Sequence, residues 1–284
     1  TSFDEKSIWA ANGSNEIIQS LFLAFSGGSA LGFTPSYSMH SLISKVTSVK
    51  WVDGARNSDL TFNVDLAIAQ VKQVQPRLTF ITTPNNPTGD AISIGDIERL
   101  ATVVASVGGL LIVDEAYAEF SQEKSAVTLI DSHPHLVVIR TMSKAFAFAG
   151  ARLGYLIADP AVIDALQLVR LPYHLSAITQ AVAEVALSFS DELLAGVDTL
   201  IAQREIVQAG LGKLGLTITP SAANFLLFGG FNQPADQLWR KLLDRGILIR
   251  DVGLLGQLRV TIGTAAENQA FLSALTEVLA EGDK

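Results

Sequence analysis

Leu136-Val-Val-Ile-Arg-Thr-Met-Ser-Lys-Ala-Phe-Ala-Phe-Ala-Gly-Ala-Arg152 decides how the chain is read. An apolar, strand-like run, Leu136-Val-Val-Ile139, empties into a loop of small residues that holds a single lysine, Lys144, and closes on Arg152. An amine nucleophile and a fixed cation are presented together in a mostly uncharged setting. Desolvation lowers a lysine pKa and frees the amine for Schiff-base chemistry. The alternative is a lysine that snorkels from a loop without a chemical role. The strand ends around it decide between the two.

Leu110-Leu-Ile-Val113 reads as a buried strand that stops at Asp114-Glu-Ala-Tyr117. A carboxylate at the C-terminal end of a buried parallel-type strand is costly unless paired, so Asp114 requires a cationic partner; helix capping is the alternative. Leu78-Thr-Phe-Ile-Thr82 runs into Thr83-Pro-Asn-Asn-Pro-Thr-Gly89, whose prolines, asparagines and glycine dictate a rigid turn. Ala30-Leu-Gly-Phe33 is followed by Thr34-Pro-Ser-Tyr37, a loop that brings an aromatic ring to a strand edge, either for a site or for packing. Asn12-Gly-Ser-Asn15 supplies a glycine turn and an N-cap for an amphipathic helix over 15–25, whose free amides suit an anion.

The remaining chain alternates strand and helix. Val49-Lys-Trp-Val52 is a short strand, 64–74 and 94–106 are helices, and 152–158 returns as a strand. Pro160 opens a helix over 161–170, followed by a helix over 176–189. This order implies an α/β fold with a largely parallel sheet covered on both faces. Ser190-Asp-Glu opens a long helix to residue 213, a spine between two units. Short strands then follow at 216–219, 224–228, 247–250 and 258–262, with helices over 235–243 and 268–279. The expected division is a large α/β domain over 1–189 and a smaller α+β domain over 190–284. Arg250 and Arg259 stand in or at the end of those late strands, as site cations or as surface charges.

A chain of 284 residues with 49% hydrophobic and 17% charged content can bury a sizeable core. Its formal net charge of -8 argues against nucleic acid and acidic membranes as partners. The absence of cysteine removes disulfides, thiolate nucleophiles and cysteine metal sites, fits a cytoplasmic protein, and no metal site is expected. The first residues lack a basic start and apolar core, and the longest apolar tract is too short and interrupted to span a bilayer.

Together the strand ends hold an amine, a carboxylate, a phenol, an amide, an aromatic face and an anion cradle. These are the needs of pyridoxal 5'-phosphate. Lys144 would meet its aldehyde and Asp114 its ring nitrogen, while Asn86 and Tyr117 would donate to its ring hydroxyl. Gly13, Ser14 and Asn15 amides, the Thr141 and Ser143 hydroxyls and the Arg152 guanidinium would hold its phosphate.

The ordered motifs Asn12-Gly-Ser-Asn-Glu16, Pro35-Ser-Tyr37, Thr83 to Gly89, Asp114 to Tyr117, Thr141-Met-Ser-Lys-Ala-Phe146 with Gly150-Ala-Arg152, Ser221-Ala-Ala-Asn-Phe225, Arg250 and Leu258-Arg-Val-Thr-Ile-Gly263 resemble those of the fold-type I aminotransferases. Within them the chain is most similar to the histidinol-phosphate aminotransferases. The resemblance implies transamination between L-histidinol phosphate and 2-oxoglutarate in histidine biosynthesis, and a homodimer with its sites near the interface. It implies that Tyr37 stacks on the cofactor ring, that Lys144 and Asp114 are catalytic with Tyr117, and that Arg259 reads the group beside the reacting amine, with Arg250 as second cation. Asn224 enters as a substrate-binding residue on the same basis, and Tyr173 and His174, from Leu171-Pro-Tyr-His-Leu175, as pocket-lining candidates. An aromatic amino acid aminotransferase, a related phospho-amino-acid decarboxylase and a non-catalytic cofactor-binding form are the competing readings.

Members of that family carry a segment ahead of the Asn-Gly-Ser motif, with an arm over the substrate and a tyrosine lent to the partner's cofactor phosphate. This sequence starts at Thr1, close to the motif. The expectation is a truncated form with an incomplete substrate pocket and weakened cofactor retention.

Overall fold

The computed structural model describes residues 3–282. Strands β1 (Ile8–Ala11), β2 (Ala30–Thr34), β3 (Trp51–Ala55), β4 (Leu78–Thr82), β5 (Leu110–Asp114), β6 (Leu136–Thr141) and β7 (Gly154–Ala158) form one sheet in the order β1-β7-β6-β5-β4-β2-β3. The five strands β2 to β6 are parallel, β7 is antiparallel to β6, and β1 is antiparallel to β7. Alternation along each strand feeds two cores. Val137, Ile139, Ile112, Phe80 and Leu156 pack on one face with Ile17, Ile18 and Leu21 of α1 (Ser14–Ala24). Leu136, Val138, Leu111, Val113 and Ile81 pack on the other.

α2 (Met39–Val46) and α5 (Pro160–Gln167) join α1 on the first face, whereas α3 (Val64–Val74) and α4 (Ile94–Ser106) cover the second. The α3 and α4 starts are capped by the Asn63 and Ser93 side chains, which accept from Leu66 and Asp96 amides. The expected asparagine or serine cap on α1 is not used. Gly13 is its N-cap, and the Glu16 carboxylate reaches back to accept from the Asn12 amide at 2.6 Å.

After α6 (Ala177–Ser188) the expected spine is two helices, α7 (Ser190–Leu194) and α8 (Gly196–Lys213). The break falls at Ala195, just ahead of a glycine, a weak helix former. A second, antiparallel sheet holds β8 (Thr217–Ile218), β9 (Phe225–Gly229), β10 (Arg250–Asp251) and β11 (Gln257–Thr261) in the order β10-β11-β9-β8. α9 (Ala235–Leu243) and α10 (Ala265–Gly282) pack on it through Leu238, Leu242, Phe271, Leu275 and Val278. This is the smaller α+β domain of the expected fold class.

Three details depart from the sequence reading. β1 and α2 were not expected, since four residues without alternation give β1 no local signal. The strand over 247–250 shrinks to Arg250–Asp251, because only these residues find ladder partners on β11.

Candidate active site

The chain direction brings six segments to one sheet edge. β2, β4, β5 and β6 end there; β7, being antiparallel, begins there; and β1, antiparallel to β7, ends there. The register places Thr82 beside Asp114, and Gly154 between Thr141 and Ala11. At this edge lies a cavity of about 110 Å³, partly open to solvent, lined by Ser14, Asn15, Tyr37, Thr82, Asn86, Asp114, Ala116, Tyr117, Thr141, Ser143, Lys144 and Arg152. A ligand site at the carboxyl ends of parallel strands, where strand order reverses, follows the general rule for such sheets.

At one end the residues form an anion cradle. Gly13 has φ 78°, and a Cβ there would sit 2.5 Å from an Arg152 guanidinium nitrogen. Only glycine lets the turn lie against that cation. A Cβ on Gly154 would likewise fall 2.5 Å from the Ser14 amide, so β7 and the α1 N-terminus are in direct contact. Arg152 itself is left-handed (φ 56°) and donates to the Ala149 carbonyl at 3.2 Å. The Ser143 amide donates to Thr141 Oγ1 at 3.1 Å, and the two hydroxyls are 3.0 Å apart. Amides of a helix N-terminus, two hydroxyls and a guanidinium are the donor set of a phosphate site.

At the other end Asp114 is buried, and its Oδ2 is 3.2 Å from His40 Nε2 while Oδ1 accepts from the Ala116 amide at 3.1 Å. The partner expected beside Asp114 is therefore a histidine from α2. His40 was missed by the sequence reading, because α2 was not expected and nothing local ties its histidine to Asp114. The Tyr37 hydroxyl donates to Asn15 Oδ1 at 3.1 Å, so the Asn15 side chain serves the tyrosine. In the proline-rich turn the asparagines divide the work. Asn85 accepts from Ser36 and donates to the Pro35 carbonyl and Thr88, locking two loops, whereas Asn86 faces the cavity.

The Lys144 amine lies 5.5 Å from the Tyr117 ring centre. Its pKa is lowered by desolvation first, then by Arg259, with Asp114 opposing and Arg152 adding to the depression. The side chain is exposed at the cavity mouth, so solvent screens part of this depression. Burial pushes the Tyr117 hydroxyl up to about 12, with Arg259 the main opposing influence. Tyr117 is thus a neutral donor at ordinary pH.

The smaller domain closes the mouth. Arg259 donates to Asn86 Oδ1 at 2.5 Å and lies over the Phe225 ring, 4.6 Å from its centre. Arg250 is its direct cross-strand partner, and both arginines line a groove with Ser36, Tyr37, Asn86 and Pro87. Asn224 lies just before β9 and its carbonyl accepts from the Ile262 amide, which places it beside Phe225 but not among the residues lining the cavity. Tyr173 and His174 lie away from this chain's cavity. Tyr173 is 97% exposed. His174 stacks on Trp9 at 5.4 Å and its Nε2 pairs with the Ala10 carbonyl at 2.9 Å. Neither residue lines the cavity of this chain, because β1, which the sequence did not reveal, captures His174.

Residues 1–275 match the family "Aminotransferase class I and II". The histidinol-phosphate aminotransferase of Mycolicibacterium smegmatis is 55% identical over 276 residues, covering 96% of this chain and 72% of that protein. The chain belongs to the class I and II aminotransferases, and within them to the histidinol-phosphate aminotransferases. Solved structures of this family share its fold. That of the histidinol-phosphate aminotransferase from Clostridium acetobutylicum has a TM-score of 0.90 at 25% identity, covering 97% of this chain and 84% of that one. The Sinorhizobium meliloti enzyme, solved in complex with pyridoxal-5'-phosphate, has a TM-score of 0.88 at 24% identity, covering 97% and 77%. The family resemblance and fold class read from the motifs are borne out. The chain is an aminotransferase, and the donor set around its cavity fits a group that carries a phosphate at one end and a basic ring nitrogen at the other. No helix among the described residues is long and apolar enough to cross a membrane.

Proposed function

We propose that this chain binds pyridoxal 5'-phosphate and transfers the amino group of L-histidinol phosphate to 2-oxoglutarate. The observation that carries the substrate class is the pairing of Arg250 with Arg259 across β10 and β11. Like charges directly opposite one another destabilise a ladder, and here both guanidiniums line the groove over Asn86 and Tyr37. A pair held at that cost suits an anionic substrate, drawn by local potential into an acidic protein.

Bound in the cavity, the cofactor supplies an aldehyde that takes up the amino group and a ring that draws electrons from the substrate carbon. Asp114 holds the proton on the ring nitrogen. Asn86 and Tyr117 donate to the ring hydroxyl, Tyr37 covers the ring face, and Gly13, Ser14, Asn15, Thr141, Ser143 and Arg152 hold the phosphate. The Lys144 amine, its pKa already lowered, moves the proton to and from the reacting carbon. Arg259 and Arg250 orient the substrate phosphate or the oxo-acid carboxylate, and Asn224 is proposed as a further substrate-binding residue.

A division near Phe189 separates the two domains in this reading, and a cytoplasmic site of action suits an amino-acid biosynthetic enzyme. A second copy of the chain is the proposed partner. Leu168, Leu171, Tyr173, Ile178 and Val185 make an apolar surface that this chain leaves exposed, and light scattering should return twice the chain mass.

The deciding experiment is a titration with pyridoxal 5'-phosphate. An absorbance band near 420 nm, roughly where a lysine-bound cofactor absorbs, is expected, and L-histidinol phosphate should bleach it. Bleaching with strong preference for L-phenylalanine would favour the aromatic reading. A stable band that no amine bleaches would favour a non-catalytic form.

A further inference from the structure

Behind the cavity, on the other side of the same strand ends, lies a charged cluster that the proposed chemistry does not use. Arg140 Nε is 3.1 Å from Glu115 Oε2, and Arg140 donates through a terminal nitrogen to Glu119 Oε1 at 2.8 Å. Glu115 also accepts from the Ser125 hydroxyl and the Ala126 amide, each at 2.7 Å. Tyr155 lies opposite Arg140 on β7.

Stability is a poor explanation for this cluster. Two carboxylates share one guanidinium, and burial pushes the pKa of both upward more than Arg140 pulls it down. Glu119 Oε2 and Arg140 Nε are buried without an aligned hydrogen-bond partner among the described residues. Buried ion clusters of this kind can often be replaced by apolar residues without loss of stability.

Position explains it better. Side chains alternate along a strand, so Arg140 and Glu115 point away from the cavity that their neighbours Thr141 and Asp114 line. Glu119 sits two residues beyond Tyr117, in the turn whose Tyr117 and Phe120 pack with Ala145, Val197 and Phe225. One guanidinium therefore grips the end of β5, the turn after it, and the start of the Lys144 loop.

We propose that Arg140 is a positioning residue whose fork, through Glu115 and Glu119, holds the segment carrying Asp114 and Tyr117 in register with the segment carrying Thr141, Ser143 and Lys144. The inference rests on the reading of this cavity as the cofactor site. A planar guanidinium reaches both carboxylates at once, Glu119 through an aligned hydrogen bond that sets angle and Glu115 through an ion pair that sets distance, which a lysine's point charge does not reproduce.

The test compares the parent chain with Arg140→Lys, Arg140→Met, and Arg140→Met combined with Glu115→Gln and Glu119→Gln, which removes the three charges together. Three quantities are read: the pyridoxal 5'-phosphate dissociation constant, the thermal midpoint, and amide hydrogen exchange over 114–120 and 141–147 in cofactor-free protein. Arg140→Met is expected to weaken cofactor binding roughly 10- to 100-fold, the scale of a small misplacement of site groups, and to speed exchange in both segments. The triple variant should regain the thermal midpoint while keeping weak binding and fast exchange. Recovery of binding and protection in step with stability would reduce Arg140 to charge compensation and overturn the proposal, as would parental binding and exchange in Arg140→Met. Should Arg140→Met not fold, Arg140→Lys decides: weakened binding at a parental thermal midpoint supports the fork, parental binding refutes it. A parent chain that does not bind pyridoxal 5'-phosphate would overturn the cofactor reading, and the exchange comparison would still decide on Arg140.

Discussion

His40 Nε2 lies 3.2 Å from Asp114 Oδ2, with both side chains buried and the imidazole packed among the rings of Tyr37, Trp51 and Phe80. A carboxyl group buried at the end of a strand is costly unless such a partner satisfies it. Removing that partner strands the carboxylate. His40→Phe, which fits the aromatic cage, should destabilise the protein by about 3 kcal/mol, read from denaturant unfolding. Asp114→Asn should lower kcat by roughly 10²–10³-fold, the scale of losing one preorganised electrostatic group.

Gly13 and Arg152 make the phosphate end sensitive to a single methyl group. Gly13→Ala meets the Arg152 guanidinium and a backbone conformation, φ 78° and ψ 168°, that is essentially reserved for glycine. The expected result is a loss of about 1–3 kcal/mol in stability. Affinity for pyridoxal 5'-phosphate should fall more than affinity for pyridoxal, and equal losses for the two would remove the cradle from this turn.

Lys144 links the chemistry to pH. Its pKa is lower in the folded chain than in the unfolded one, so between the two values the unfolded state binds more protons and stability rises with pH. The penalty of the charged amine is fully present below the folded pKa and vanishes above the ordinary lysine value. Lys144→Met should therefore abolish transamination and, because the side chain is exposed and its charge screened, raise the thermal midpoint of cofactor-free protein at pH 7 only slightly. That gain should shrink as pH climbs toward the lysine range. A gain that is constant with pH would point to packing instead.

Arg259 bridges the domains through Asn86, whereas Arg250 is largely open to solvent. Arg259→Lys loses the fork and the stacking on Phe225, and should raise KM for L-histidinol phosphate more than tenfold, roughly the value of a desolvated charged contact. Arg250→Ala should act more weakly, and its effect should fade as salt rises. Steady-state kinetics at two ionic strengths separates the two.

The sequence by itself determined most of the elements, β1 and α2 excepted, and most of the inventory of chemical groups. Strands such as Leu110-Leu-Ile-Val113 are uniformly apolar because helices cover both faces, and that pattern is local. Lys144, Asp114 and Asn86 were legible because each stands at or just beyond the end of such a strand, and Arg152 because it leads into the next one. Only the tertiary structure decided which groups meet. His40 pairs with Asp114, 74 residues away, and Arg259 reaches Asn86 across 173 residues, distances over which no local pattern carries a signal. The contact of His174 with β1 was hidden for the same reason, since β1 owes its place to its ladder with β7 rather than to its own residues. Local propensity sets what each segment can be; the sheet's strand order sets which side chains share a cavity.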